Sequence, residues 1–307
     1  MKAASLNSRR SKPGLLPVNM LKHQEALPSK SSTFGRRLLR DKRALVSVIV
    51  VLIVTVMAVL APVLPLQNPS KMDLLTQLDE PSWSHWLGTD SFGRDIFSRI
   101  VFGARVSLLV GFVTVILALS LGATSGILAG YFGGIVDSVL MRIMDALLAF
   151  PAILLAIALV GILGPGQFNV MLGLGVVYAP TFARVARAKT SSVRNMEYVL
   201  AAKATGASHF RTLTRYVLPN VLGPIIVQAT VAYAFAIIAE AGLSFLGLGV
   251  PPDVPSWGAM LTEARKFIQT DPWFAMIPGV WLSITVLSIT LLGDSLREIL
   301  DPTSRGS

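Results

Sequence analysis

The chain has 307 residues, of which 53% are hydrophobic and only 14% charged, against about a quarter charged in a soluble domain. Its apolar residues gather in runs of about 20, long enough to cross a bilayer as a helix, which excludes an ordinary soluble globule. The net charge is +10, but the basic residues sit beside the apolar runs, as in the inner loops of membrane proteins, and no nucleic-acid-reading motif accompanies them. Cysteine is absent, which excludes disulfides, thiolate metal sites and a cysteine nucleophile. His23, His85 and His209 lie outside the apolar runs and show no metal-ligand spacing.

Residues 1–43 form a basic arm in which Arg9, Arg10, Lys12 and the run from Arg36 to Arg43 face only Glu25 and Asp41. The arm is too long and polar for a cleavable signal, and its prolines and serines predict a disordered cytoplasmic segment. The first span is expected over Ala44–Leu64, closed by Pro62 and Pro65. An outer segment follows at 66–105, with Trp83 and Trp86 as interfacial anchors. Within it Ile96, Phe97, Ile100 and Val101 recur at helical spacing among Arg94, Asp95 and Arg99, which predicts a short amphipathic helix lying along the surface.

The second span is expected over Val106–Leu128, with a turn at Gly130–Gly134. The third covers Val139–Leu163 and contains Pro151, and Gly164–Gln167 turns the chain on the outer side. The fourth covers Phe168–Ala186, with Arg184, Arg187 and Lys189 at its inner end. An inner loop at 188–217 leads to span five, Leu218–Phe245. An outer loop at 247–273, rich in proline, leads to span six, Phe274–Leu292. Counting domains, 44–300 is the six-span unit and 301–307 a cytoplasmic tail. The fold expected is an all-α polytopic membrane protein with both termini in the cytoplasm.

EYVLAAKATGAS, Glu197 to Ser208, is the polar island between spans four and five. Val199 to Lys203 are mostly good helix formers, and Gly206 can end the helix in the left-handed conformation. His209–Val217 can form a second helix, and Pro219 fits the first turn of span five. The result is a helical hairpin whose small Ala201, Ala202 and Ala204 admit a close neighbour, and whose Lys203, Arg211 and Arg215 suit acidic groups. On spacing alone, an ordinary basic loop required by inner-loop charge bias and a docking element stand level.

The stretch resembles the cytoplasmic loop of ABC transporter permeases, whose pattern is Glu-Ala-Ala, three residues, Gly, nine residues, an apolar residue, any residue, Leu and Pro. Ala201, Ala202, Gly206 and Leu218–Pro219 match; Leu200 stands in place of the glutamate and Tyr216 in place of the usual isoleucine. Five further blocks are similar to the second membrane subunit of dipeptide, oligopeptide and nickel importers. They are His85–Leu108, Asp137–Pro151, Leu218–Thr230, Glu240–Gly258 and Gly293–Pro302. The resemblance runs from the first span to the C-terminus.

This resemblance implies a type I importer-like fold in a bacterial cytoplasmic membrane. It implies a related second permease, two cytoplasmic ATPases carrying ATP and magnesium, and an extracytoplasmic substrate-binding protein. It makes the inner loop a coupling helix, with Ala201, Ala202, Lys203, Gly206, Ala207, His209 and Arg211 as the docking residues. Segments 66–105 and 247–273 are then candidates for meeting the binding protein. The chain has no Gly-Lys-Ser or Gly-Lys-Thr, so it lacks the lysine-bearing phosphate loop and hydrolyses no ATP itself.

Charges inside spans are costly and mark function or pairing. Glu240 is expected to line the translocation path, to pair at a subunit interface, or to snorkel to the outer surface. Asp145 is expected to pair with Arg142 three residues earlier. The glycines of spans two and four are expected at close helix contacts. Two other classes compete. A proton-coupled transporter would use Glu240 or Asp145, but no internal repeat is visible. An intramembrane hydrolase would use Ser244, but no span holds a histidine to serve as its base.

Overall fold

The structure, a computed structural model, describes residues 41–251 and 253–300. The expected arm at 1–40 and the tail at 301–307 lie outside the described residues. The described residues form α-helices joined by turns, with one isolated β-bridge between Thr89 and Asp95.

Helix α1 (Lys42–Leu60) is capped by Asp41, which accepts from Arg43 N–H at 2.9 Å. Ser295 Oγ also donates to Asp41 at 3.0 Å, and these two bonds, Ser295 first, hold the Asp41 carboxyl below the usual carboxylate range. Helix α2 (Ile96–Ala118) passes through a π-helical turn at Leu119–Ala123 into α3 (Thr124–Phe132). Together they make one rod of 37 residues, about 55 Å long. The expected surface helix at residues 96–101 is therefore the first turn of a span. Ile96, Ser98, Arg99, Ile100 and Val101 are buried, because Asp90 nearby and Glu263 distant in sequence neutralise the arginines beside them.

Helices α4 (Gly134–Leu148) and α5 (Ala152–Leu163) meet at 91°. The expected third span is thus broken at Pro151, which lacks an N–H and disfavours helical geometry at Phe150. Helix α6 (Gln167–Val193) runs past the expected end of span four, so the loop after it narrows to 194–208. In that loop lies α7 (Glu197–Ala204). Helix α8 (His209–Thr212) continues through a second π-helical turn, Leu213–Val217, into α9 (Leu218–Phe245). The expected second helix of a hairpin is therefore the beginning of span five. The loop expected at 247–273 holds a buried helix, α10 (Trp257–Ala264), before α11 (Pro272–Leu300). Five of these helical runs are long and apolar enough to cross a membrane, and the bent α4–α5 pair makes a sixth if it is one span.

Glycines set the closest approach. Gly122, Gly126 and Gly130 form a stripe on the rod that faces Ala179, Ala183 and Arg187 of α6. A Cβ at Gly130 would lie 2.7 Å from the Arg187 carbonyl oxygen, so hydrogen at these positions lets two backbones touch. Three apolar clusters result: one around Ile100, Ile237, Trp257 and Phe274, one around Tyr131, Phe182, Val199 and Val221, and one around Val110, Val160, Leu174 and Leu243.

Candidate functional site

The loop between α6 and α9 is built by two local devices. Helix α7 ends in a paired turn, with Gly206 N–H donating to Lys203 O at 3.0 Å and Ala207 N–H to Ala202 O at 3.0 Å. Gly206 has φ +82°, the left-handed conformation that glycine adopts at little cost. Ser208 then caps α8, its Oγ accepting from Arg211 N–H at 3.3 Å.

The seven residues expected to dock take different positions. Ala202 is buried against the body of the protein and Ala207 is half-buried, while Ala201, Gly206 and Arg211 are exposed. Lys203 and His209 are exposed yet turned toward Tyr131 at the end of α3. The Lys203 Nζ lies 4.8 Å from the Tyr131 ring centre, and His209 Nδ1 lies 3.0 Å from the Tyr131 hydroxyl. The sequence reading missed the apolar tip of the loop: Tyr198, Leu200 and Phe210 are exposed, Phe210 at 78%. The signal was Leu200 itself, an apolar residue where a charged one was expected.

Glu240 lies elsewhere, inside α9, and is fully buried. Ser244 Oγ donates to its Oε1 at 2.8 Å and Ser107 Oγ of α2 donates to its Oε2 at 3.1 Å. The same Ser244 Oγ accepts from Val250 N–H at 3.3 Å. Glu240 is therefore satisfied within this chain, by serines of two helices. Hydroxyl donors from two helices replace the water it gave up.

Asp145 is also corrected. It accepts from Arg184 Nη2 of α6 at 2.8 Å, with both side chains more than half exposed. Arg187 makes a two-pronged pair with Asp137, Nη2 to Oδ2 at 2.6 Å. These two pairs tie α4 to α6 in place of the expected local Arg142 contact.

At the opposite end, residues 66–95 fold around a buried ion network. Asp90 accepts from Phe92 N–H at 2.8 Å and Arg94 N–H at 3.0 Å, and pairs with Arg94 Nε at 2.6 Å and Arg99 Nε at 3.3 Å. Arg94 also pairs with Glu263, in the last turn of α10. Asp95 caps α2 through Ser98 N–H at 2.8 Å and faces His85 Nδ1 at 3.1 Å. Trp83 and Trp86 remain exposed on this segment. Among the described residues no group of His, Cys, Asp or Glu is arranged to hold a metal ion.

Residues 122–306 match the family model of the binding-protein-dependent transport system inner membrane component. The chain belongs to this family. The permease also matches, over residues 30–81, the N-terminal TM domain of oligopeptide transport permease C. It is 45% identical over 267 residues to a dipeptide transport system permease protein of Alkalihalophilus pseudofirmus, covering 87% of this chain and 88% of that protein. It is 43% identical over 270 residues to a glutathione transport system permease protein of Pectobacterium atrosepticum, covering 88% and 90%. A di/tripeptide transport system permease protein of Pseudomonas aeruginosa is 40% identical over 281 residues, covering 90% and 93%. In fold, the permease is similar to an inward-facing MetNI methionine ABC transporter, with a TM-score of 0.56 and 20% identity over 67% of this chain and 98% of that one. The protein is thus a multi-pass inner-membrane permease subunit of an ABC importer, and the proton-coupled alternative finds no support among these relatives.

Proposed function

We propose that this permease forms half of the translocation path of an ATP-driven importer of di- and oligopeptides. It pairs with a related second permease and receives cargo from an extracytoplasmic binding protein. Two cytoplasmic ATPases, carrying ATP and magnesium, close on each other and move the α7–α8 loop. That movement shifts the equilibrium between inward- and outward-facing arrangements of the spans. Both termini and the loop are cytoplasmic in this reading, in line with the basic residues beside them.

The observation that carries the reading is the tip of the loop. Tyr198, Leu200 and Phe210 are exposed on a polar, glycine-capped element at the ends of the spans, Phe210 in the first turn of span five. Lipid does not cover such a position, and a protein groove does. The peptide cargo rests on what the relatives transport.

Purification from the native membrane, followed by mass spectrometry, tests the assembly. An ABC-type ATPase and a second six-span protein are expected to copurify. Recovery of the chain alone, transporting without ATP, would overturn the proposal. Labelling of single cysteines tests orientation: Ala207→Cys is expected to react only from the cytoplasm and Ser84→Cys only from outside.

A further inference from the structure

We infer that Tyr131 is the fastening through which the coupling loop pulls on the long helix Ile96–Phe132, which makes it a positioning residue for coupled transport. This rests on the reading that the loop docks on an ATPase.

Three separate pieces of chain converge on this one residue, two on its side chain and one on its carbonyl. Its hydroxyl meets His209 Nδ1 at 3.0 Å, at the first residue of α8. Its ring lies under Lys203 Nζ of α7 at 4.8 Å. Its carbonyl accepts from Arg194 Nη1, just beyond α6, at 3.2 Å. The His209 ring stands edge-on to the Tyr131 ring at 5.8 Å, and Phe132 packs edge-on at 5.1 Å. Tyr131 itself is only 5% exposed, so it is fixed while its partners on the loop are free to be moved.

The placement matters because of what Tyr131 terminates. The rod it ends is continuous for 37 residues, and its far end is held by the Asp90, Arg94, Arg99 and Glu263 network. Apolar contact alone, such as Val199 against the inner cluster, transmits a push but slides under a sideways pull. A hydrogen bond and a cation over a ring face are directional. The glycine-capped turn holds Lys203 and His209 in fixed relation, so displacement of the loop tip reaches both contacts together. The π-helical turn at Leu119–Ala123 gives the rod one place to adjust, at the position where Gly122 meets α6.

The test uses the complete complex in proteoliposomes, with a mixed di- and tripeptide pool read by mass spectrometry and phosphate release read in parallel. Tyr131→Phe keeps the ring under Lys203 and removes the hydroxyl. The expected result is unchanged ATP hydrolysis with about fivefold less peptide per ATP, the factor carried by one hydrogen bond. His209→Ala is expected to lose a similar factor, and the double variant no more than either single one, because both remove the same contact. An unchanged ratio in Tyr131→Phe would overturn the inference and leave the importer reading intact. So would a proportional fall in both rates, which marks damage to folding, or losses that multiply in the double variant, which mark two independent contacts. Absence of ATP-dependent uptake by the wild-type complex would overturn the importer reading, and the inference with it.

Discussion

Replacing Gly122 with alanine tests the closest helix contact in the permease. The new methyl carbon would lie 2.8 Å from the Ala179 carbonyl carbon and 2.9 Å from Phe182 Cβ, and nearer still to the Ala179 oxygen. Carbon contacts relax at about 3.5–4.0 Å, so the rod and α6 must part by roughly an ångström. Overpacking costs about 1–3 kcal/mol, and a backbone carbonyl cannot rotate away as a side chain can, which favours the upper end. Alanine regains about 0.5–1 kcal/mol over glycine in a helix, leaving a net loss of about 2 kcal/mol. Gly161→Ala is the control: nothing lies within 4 Å of a Cβ built there, so only the gain of about 0.5–1 kcal/mol applies. Unfolding by a denaturing detergent in mixed micelles, followed by circular dichroism, is expected to rank the two variants on opposite sides of wild type. Coincident midpoints for the two would refute the packing described.

Asp90→Ala leaves Arg94 buried with Glu263 and Arg99 buried with only the Pro69 carbonyl; the expected loss is about 3–5 kcal/mol, read as faster proteolysis within residues 66–95. Wild-type resistance there would show that the network does not hold the segment. Glu240→Ala strands two serine hydroxyls and opens a cavity, an expected loss of about 2–4 kcal/mol. Glu240→Gln retains an acceptor and is expected to lose less, and equal melting shifts for the two would count against the hydroxyl contacts. Gly206→Val forces a β-branched residue to φ +82°, a strain of about 1–3 kcal/mol. It is expected to lower copurification of the ATPase while the permease stays in the membrane, and undiminished copurification would sink the docking role of the turn.

The spans with simple apolar runs were readable from sequence because a bilayer imposes length and composition directly. Gly206 as a helix terminator was readable too, since the requirement for φ above zero is local. Pairings across the fold were not. Arg94 and Arg99 suggest a wet surface until Glu263, 169 positions from Arg94, closes on Arg94. Asp145 has a basic neighbour three residues away, yet its partner is Arg184, 39 positions on. Glu240 offers no sequence hint that Ser107 of another helix faces it, because serine is common in any span. Two signals were present without being used to full effect. Gly122, Gly126 and Gly130 recur every fourth residue, the spacing of small residues along one helix face. Pro151 marked the break in span three, although the angle depends on how α4 and α5 each pack on α6.

That break restricts what can surround the permease. Helices of 15 and 12 residues rise about 22 and 18 Å, so neither crosses a hydrocarbon core of about 30 Å alone. Where they meet, the last carbonyls of one and the first N–H groups of the other have no helical partners. Hydrocarbon offers nothing to bind them. Phe150 and Pro151 are exposed on this chain, so the missing cover comes from outside it, as water or as a neighbouring subunit. The junction itself is thereby closed to lipid, and a single proline sets where it falls.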